Sequence, residues 1–396
     1  MTSDAQERGI AARSLLLQLY PSPHFLGSAA DPARVRFLAV PHARSPRLIA
    51  DARSPRLASA ATRHQSRSPR LRTRAAGTVL AAVARTGLYD RLPGARIVVA
   101  GPSGAPSIED PLVELLGCTQ LRIAMSIGPR RANRKPVLQV ADEHGNVVAF
   151  VKVGHNELTR TLVRGESASL ATLGSRPWEQ VRLPQVLGVM DWGKLTLLAL
   201  APLQLPHIRY PASWARERLN TVADEIATGS GQEWLPWRVH PLRSRLRNRF
   251  AGSQTTASWL HQLDRLPLEV ILPTGAWHGD LNPGNIAFSP RRCPVWDWER
   301  YESGGVPVGF DVLHYDLQRA VTQQRADPQS AVAELLRSST GTLAPWVDDP
   351  DSADAICRAY LITLAERYMT DDQAAAGASL GLVDEWLLPV LRDWRA

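Results

Sequence analysis

Lysine is almost missing from this 396-residue chain: of 46 basic side chains only Lys135, Lys152 and Lys194 are lysine. Cysteine is as scarce. Cys118, Cys293 and Cys357 are scattered, odd in number and without metal-ligand spacing, which argues against a disulfide scaffold or a zinc cluster and suits a reducing compartment. No run of about eighteen apolar residues exists to span a membrane. The N-terminus lacks the basic start, apolar segment and small-residue cleavage site of a secretory signal, although its Arg-rich, acid-poor beginning has a transit-peptide composition. The Arg- and Ala-heavy, Lys-poor usage points to a GC-rich bacterial genome and hence to the cytoplasm as the expected address.

What remains is globular in composition, with 44% apolar and 21% charged residues, and long enough for two or three domains. The net charge of +8 is not spread evenly. Residues 1–76 carry 13 Arg, no Lys and four acids, or +9, so the rest of the chain carries 8 − 9 = −1. Within that basic region the pentapeptide RSPRL occurs three times, starting at Arg44, Arg53 and Arg67. The spacings differ, so it is no solenoid repeat. No aromatic residues interleave with the arginines as single-strand binders require, and nucleic acid is not the expected partner.

Periodicity predicts a helix over 11–20, short strands over 35–40, 48–50 and 96–100, a helix over 75–88 and a Gly/Pro/Ser linker over 101–111. Strands then follow over 121–127, 136–141 and 147–153, a helix over 157–173, and strands over 186–189 and 195–201. Short turns between these strands imply an antiparallel sheet with one helix against it. Beyond residue 212 the pattern is helical: 212–227, 242–250, 257–266, 312–326, 328–338, 352–368 and 382–394. The expected domains are an Arg-rich extension or small accessory domain over 1–110, a sheet-rich lobe over 111–201 and a helical lobe over 202–396.

The chemistry gathers in the stretch WHGDLNPGNIAF, residues 277–288, and in Trp296-Asp297-Trp298-Glu299 after it. An acid and an amide in fixed relation, then an acid ending a short apolar strand, suit a divalent cation and phosphate. Mg²⁺ is commonly held by one or two side-chain oxygens together with substrate phosphates. Asn285 and Asp297 supply such oxygens, and Asp280 remains to accept a hydrogen bond from a substrate hydroxyl, the division of labour of phosphoryl transfer. Lys152 interrupts the apolar strand VVAFVKV, where a charge is costly without a partner. His314 and Trp298 read as packing residues.

This pattern resembles the catalytic loop of the aminoglycoside phosphotransferase and choline-kinase group, relatives of the protein kinases. There His-Gly-Asp, four residues and Asn precede an Asp-Trp-Glu-like metal motif, matched here by His278, Gly279, Asp280, Asn285, Asp297, Trp298 and Glu299. The resemblance implies an α+β, bilobal protein-kinase-like fold with an antiparallel N-lobe sheet and one helix, a larger helical C-lobe and an extra N-terminal region. It assigns Asp280 as catalytic base, Asn285 and Asp297 as Mg²⁺ ligands, and Asp311 as a brace beneath the loop. Lys152 then contacts the phosphates of ATP or GTP and pairs with Glu166 rather than Glu157. Gly128 lets backbone N–H groups approach phosphate, with Arg130, Arg131 and Arg134 nearby, and the backbone around Leu198 and Leu200 meets the adenine edge.

The implied function is transfer of the γ-phosphoryl group to a hydroxyl of a small molecule, such as an antibiotic, amino-sugar or natural-product intermediate. Residues 212–266 and the C-terminal helices would recognise the acceptor. Asp224, Glu225 and Glu233 there favour a cation, and Arg243, Arg245, Arg247 and Arg249 oppose one. One alternative is phosphorylation of Ser or Thr in a peptide natural-product precursor, whose acidic leader the basic extension would hold. Another is a nucleotide-binding pseudokinase scaffold, disfavoured by intact Lys152, Asp280, Asn285 and Asp297.

Overall fold

Nine strands, each antiparallel to its neighbours, form the largest sheet of the computed structural model, in the order β1-β4-β2-β3-β5-β6-β7-β10-β9. The structure describes residues 4–27, 33–65, 81–86, 96–127, 135–206, 208, 210–229, 231–252, 256–375 and 379–394. The third RSPRL copy, most of the expected helix over 75–88 and the loop residues Gly128, Arg130, Arg131 and Arg134 lie outside them.

The chain is α+β and divides into two compact units: residues 1–167 with 185–202, and residues 168–184 with 203–396. The expected boundary near residue 110 is not one of the divisions. The strands β1 (Phe25–Gly27), β2 (Ala33–Val40), β3 (Leu48–Asp51) and β4 (Arg96–Ala100) belong to the same sheet as β5 (Arg122–Ser126), β6 (Val137–Ala141), β7 (Val147–Gly154), β9 (Val186–Trp192) and β10 (Leu195–Leu200). The join is the β3–β5 ladder, in which Leu48, Ile49 and Ala50 face Ser126, Met125 and Ala124. Without β3, the apolar strand β5 would be an exposed edge, a template for aggregation. The N-terminal region thus continues the sheet.

Both faces of this sheet are covered. Val35, Phe37, Ile49, Ile123, Met125, Val140, Val151 and Leu197 pack against Leu15, Leu16 and Leu19 of the helix Asp4–Leu19 and Leu112 of the helix Glu109–Leu116. The alternate residues Leu38, Leu48, Ala50, Ala124 and Ala141 pack against Leu57, Ala58 and Ala61 of the helix Pro55–Gln65. The helix Glu109–Leu116 replaces the end of the expected linker. Its Pro111 falls in the first turn, where a missing N–H costs nothing.

The two described RSPRL copies share one pattern of exposure. Arg44, Arg47, Arg53 and Arg56 are exposed, whereas Leu48 and Leu57 are 0% exposed. The repeat therefore buries its leucine in the core and turns its arginines outward. Arg53 also binds the buried Asp51 carboxylate through Nε at 3.0 Å and Nη2 at 2.6 Å.

In the second unit, β11 (Glu233–Pro236), β12 (Ile271–Trp277) and β14 (Glu302–Pro307) form a three-stranded antiparallel sheet, absent from the helical expectation. The short strands β8 (Val181–Arg182) and β13 (Cys293–Pro294) pair in parallel. Helices Ala212–Thr228, Pro241–Phe250, Ala257–Asp264, Phe310–Gln318, Pro328–Arg337 and Pro350–Thr370 enclose a core that includes Trp237, Trp259, Trp277, Phe310 and Tyr360. The helix expected over 382–394 breaks into Val383–Trp386 and Leu388–Asp393, because Pro389 cannot continue the ladder of a preceding turn. No helix among the described residues is long and apolar enough to cross a membrane, and all three cysteines are free.

Since Leu48 is fully buried at the join, Leu48→Ala is expected to cost about 2–5 kcal/mol. Chemical denaturation followed by hydrogen exchange should show β5 and β6 losing protection together with β2. Loss of protection confined to residues before 110 would mean that the N-terminal region is a separate domain after all.

Candidate functional site

Strand β12 delivers the loop. It is buried from Leu272 to Trp277, and Trp277 ends it edge-on against Phe310 at 5.3 Å between ring centroids. The chain then turns at Gly279, whose φ is +83° and where a Cβ would lie 2.2 Å from the Arg300 carbonyl oxygen. Only glycine satisfies both conditions.

The turn strips His278 and Gly279 of strand partners, and Asp311 supplies replacements. This residue, 3% exposed at the start of the helix Phe310–Gln318, accepts the His278 N–H at 2.8 Å on Oδ2 and the Gly279 N–H at 3.3 Å on Oδ1. Burial pushes its carboxyl up to about 7, against the two N–H donors, which favour the charged form. Arg367 secures the turn from its other side, donating to the Gly279 carbonyl and stacking over the Trp277 ring at 4.6 Å.

His278 joins the loop to the Asp297 segment. Its Nδ1 accepts from the Asp280 N–H at 3.1 Å, and its Nε2 lies 3.1 Å from the Trp296 carbonyl oxygen. This pattern assigns the neutral Nε2–H tautomer. Burial lowers the ring to about 4, so it stays neutral at physiological pH.

Beyond Asp280, Asn282 caps the Pro283–Gly284 bend, accepting from the Gly284 N–H at 2.7 Å and donating to Asp280 Oδ1 at 3.1 Å. Asn285 donates from Nδ2 to the Asp280 carbonyl at 2.9 Å and to Oδ2 at 3.0 Å. The chain then pairs with the Asp297 segment: Ile286 and Val295 form an antiparallel bridge, and the Trp296 N–H donates to the Asn285 carbonyl at 3.0 Å. This register sets Asn285 beside the residue preceding Asp297. Asp297 itself is held at φ 73°, ψ 52°, a left-handed conformation that Asp tolerates better than most residues and that recurs at functional sites. Trp298 packs, fully buried, against Trp178 and His278.

His314 is no mere packing residue. Its Nε2 lies 2.9 Å from Asp280 Oδ1 and its Nδ1 lies 3.0 Å from the Tyr360 hydroxyl. The sequence signal was faint, a histidine one helical turn after Asp311 among buried Phe310, Leu313 and Leu317. Asp280 keeps 32% of its side chain exposed. Desolvation alone would raise its pKa, but the His314 hydrogen bond and charge outweigh it, and the carboxyl titrates below its ordinary value.

In the first unit, Lys152 Nζ lies 2.5 Å from Glu166 Oε2, and the two side chains are 9% and 0% exposed. Strand alternation explains the pairing: Val151 and Val153 enter the core described above, so Lys152 points to the opposite face. Glu157, the rival partner, is exposed at the start of its helix. Leu198 lies across from Lys152, and Leu200 across from Phe150, on β10. Both are also in register with β9, so they stand inside the sheet ladder and their backbones are not free to meet an adenine edge.

The candidate acceptor acids have structural duties. Glu225 accepts the N–H groups of Glu179, Gln180 and Val181, and Asp224 accepts from Trp346 Nε1 at 3.0 Å. Glu233 is exposed on β11. Arg243 and Arg247 pair with Asp264, Arg245 with Glu302 and Arg249 with Glu366.

Neither a protein-family model nor a curated protein sequence matches the chain. Solved structures similar to it include small-molecule kinases. A putative fructosamine-3-kinase from Haemophilus somnus is 14% identical over 71% of this chain and 96% of its own, with a TM-score of 0.38. The GDP and kanamycin complex of APH(2")-IIia is 11% identical over 71% and 96%, with a TM-score of 0.44. A spectinomycin phosphotransferase with ADP and spectinomycin is 12% identical over 72% and 93%, with a TM-score of 0.39.

The Asp311 carboxyl, raised from 3.8 to about 7 in the folded state, makes a signed prediction. Protonation favours the folded state, so its contribution is fully present below pH 3.8 and disappears as pH rises through about 7. At about 1.4 kcal/mol per pH unit, the stability difference between wild type and Asp311→Asn should shift by roughly 4 kcal/mol over that window, against the wild type as pH rises. Urea titrations at pH 4, 5.5 and 7 measure it, and a constant difference would rule the raised pKa out.

Proposed function

We propose that the chain is an ATP-dependent phosphotransferase acting on a hydroxyl of a small molecule. One arrangement supports this above the rest. Asn285 directs its amide nitrogen to Asp280, which leaves its amide oxygen for a ligand, and the Ile286–Val295 bridge sets the Asn285 backbone beside the Asp297 segment. An amide oxygen and a carboxylate are hard donors of the kind Mg²⁺ takes. Asn285 and Asp297 are therefore the residues that would hold the ion, which supplies neutralisation of phosphate charge when it arrives with the nucleotide.

Asp280 does the work on the acceptor. It is half-exposed, anionic and fixed by three side-chain donors, so it can take a hydrogen bond from the hydroxyl and orient that oxygen for in-line attack. Lys152 contacts the nucleotide phosphates, with Glu166 holding its ammonium in place. Lys suits that position as a compact point charge, in a chain that uses Arg almost everywhere else. Leu198 and Leu200, on the Lys152 face of β10, offer the base an apolar wall in place of the backbone contact that their ladder pairing denies.

Incubating the purified protein with γ-labelled ATP, or GTP, Mg²⁺ and a panel of neutral, amino and acidic polyols tests the assignment. Transfer should appear with at least one acceptor. Asp280→Ala is expected to lower kcat by about 10²–10⁴-fold while nucleotide affinity changes by no more than a few-fold. Transfer that survives in Asp280→Ala would remove Asp280 as the base, and a wild type that binds nucleotide and phosphorylates nothing would count against a phosphotransferase and for a pseudokinase.

A further inference from the structure

Three donors crowd the Asp280 carboxylate, and they do not share it evenly. Oδ1 accepts from His314 Nε2 at 2.9 Å and from Asn282 Nδ2 at 3.1 Å. Oδ2 accepts from Asn285 Nδ2 at 3.0 Å. Each carboxylate oxygen has about two acceptor sites, so Oδ1 is filled and Oδ2 keeps one for a further donor.

The three donors also differ in what holds them. Asn282 and Asn285 belong to the same loop as Asp280 and move with it. His314 comes from the helix Phe310–Gln318 and is 2% exposed. Its Nδ1 lies 3.0 Å from the hydroxyl of Tyr360, itself 0% exposed on the helix Pro350–Thr370. An anionic carboxylate accepts only, so Nε2 carries a ring proton and donates it to Oδ1. Tyr360, 3.0 Å from Nδ1, therefore fixes the ring in the orientation that points Nε2–H at Asp280.

We propose that His314 is a positioning residue for phosphoryl transfer: Tyr360 fixes its ring, and Nε2–H pins Asp280 Oδ1 so that Oδ2 faces the acceptor hydroxyl. The proposal rests on the assignment of Asp280 as base. As the acceptor oxygen bonds to the γ-phosphorus and the bond to the nucleoside diphosphate breaks, the hydroxyl proton goes to Oδ2. His314 takes no proton in this step, because its Nε2 already carries one. Its contribution is orientation: the terminal torsion of an Asp side chain is broad and two-fold, and a donor rooted in a packed helix narrows it better than donors on the loop can.

Two measurements on the full-length protein test this. In ¹⁵N-edited spectra His314 should give an Nε2–H resonance that exchanges slowly with water, assigned by its absence in His314→Gln, and lose that protection in Asp280→Ala. In steady-state kinetics with MgATP and the acceptor found by the screen, or with water as acceptor, His314→Leu should lower kcat roughly 10- to 100-fold with KM for MgATP within about twofold. His314→Gln, whose amide N–H reaches the place of Nε2–H, should recover most of the loss, and Tyr360→Phe should fall between them. An Nε2 without a proton or with one that exchanges fast, a Leu variant as active as wild type, or a Gln variant no better than Leu at equal thermal stability would each overturn the proposal. A wild type with the protected proton but no turnover would instead overturn the phosphotransferase assignment.

Discussion

A left-handed turn at Gly279 removes two backbone N–H groups from any strand, and a buried carboxylate, Asp311, collects both. Buried amide donors must find partners, so the loop has one place to sit. Once it is seated, the Asp280 N–H falls to His278 Nδ1, and His278 Nε2 reaches the Trp296 carbonyl. Through that imidazole the loop and the strand leading to Asp297 are tied together without either needing a regular sheet between them. The helix that carries Asp311 also carries His314 one turn later, so the same element that braces the loop backbone from below also grips the Asp280 side chain.

A comparable economy governs the first unit. A sheet buried on both faces reads as nearly continuous apolar sequence, and that is how β3, β5, β7 and β10 read. A lysine in such a strand requires a partner on its own face, which Glu166 provides from the covering helix at 2.5 Å. The RSPRL copies serve the same sheet from its other end. Each of the two described copies sets a leucine into the core beneath exposed arginines.

How much of this was legible follows from sequence distance. Asp280, Asn282 and Asn285 lie within one bend, and Asp297 lies on the next strand, so composition and spacing in one short stretch exposed the group. Lys152 was legible as a violation of its strand's apolar pattern, and Glu166 as the acid placed far enough along the next helix to reach back. The β3–β5 ladder was not legible, because it pairs residues more than seventy positions apart and no local signal sets such a register. The backbones of Leu198 and Leu200 were misjudged for the same reason: whether a strand residue is an edge or a centre depends on β9. His314 was missed because its partner lies 34 residues earlier, and a histidine on an apolar helix face looks like packing until the partner is seen.

The loop's carboxylates end up in different states, and the donors alone do not explain why. Asp311 accepts two N–H groups and is nonetheless raised to about 7, whereas Asp280 accepts three and is lowered. Desolvation raises both, and His314 decides between them: its hydrogen bond and charge outweigh desolvation at Asp280, whereas the two N–H donors at Asp311 do not. His314 adds an imidazole facing Asp280 that Asp311 lacks. Negative charge is thereby favoured at Asp280 and disfavoured at Asp311 beneath it. Pairs of titratable groups driven apart by their surroundings are the pattern of acid–base sites, and here one carboxylate holds a backbone while the other, under the proposed function, is left to meet a substrate.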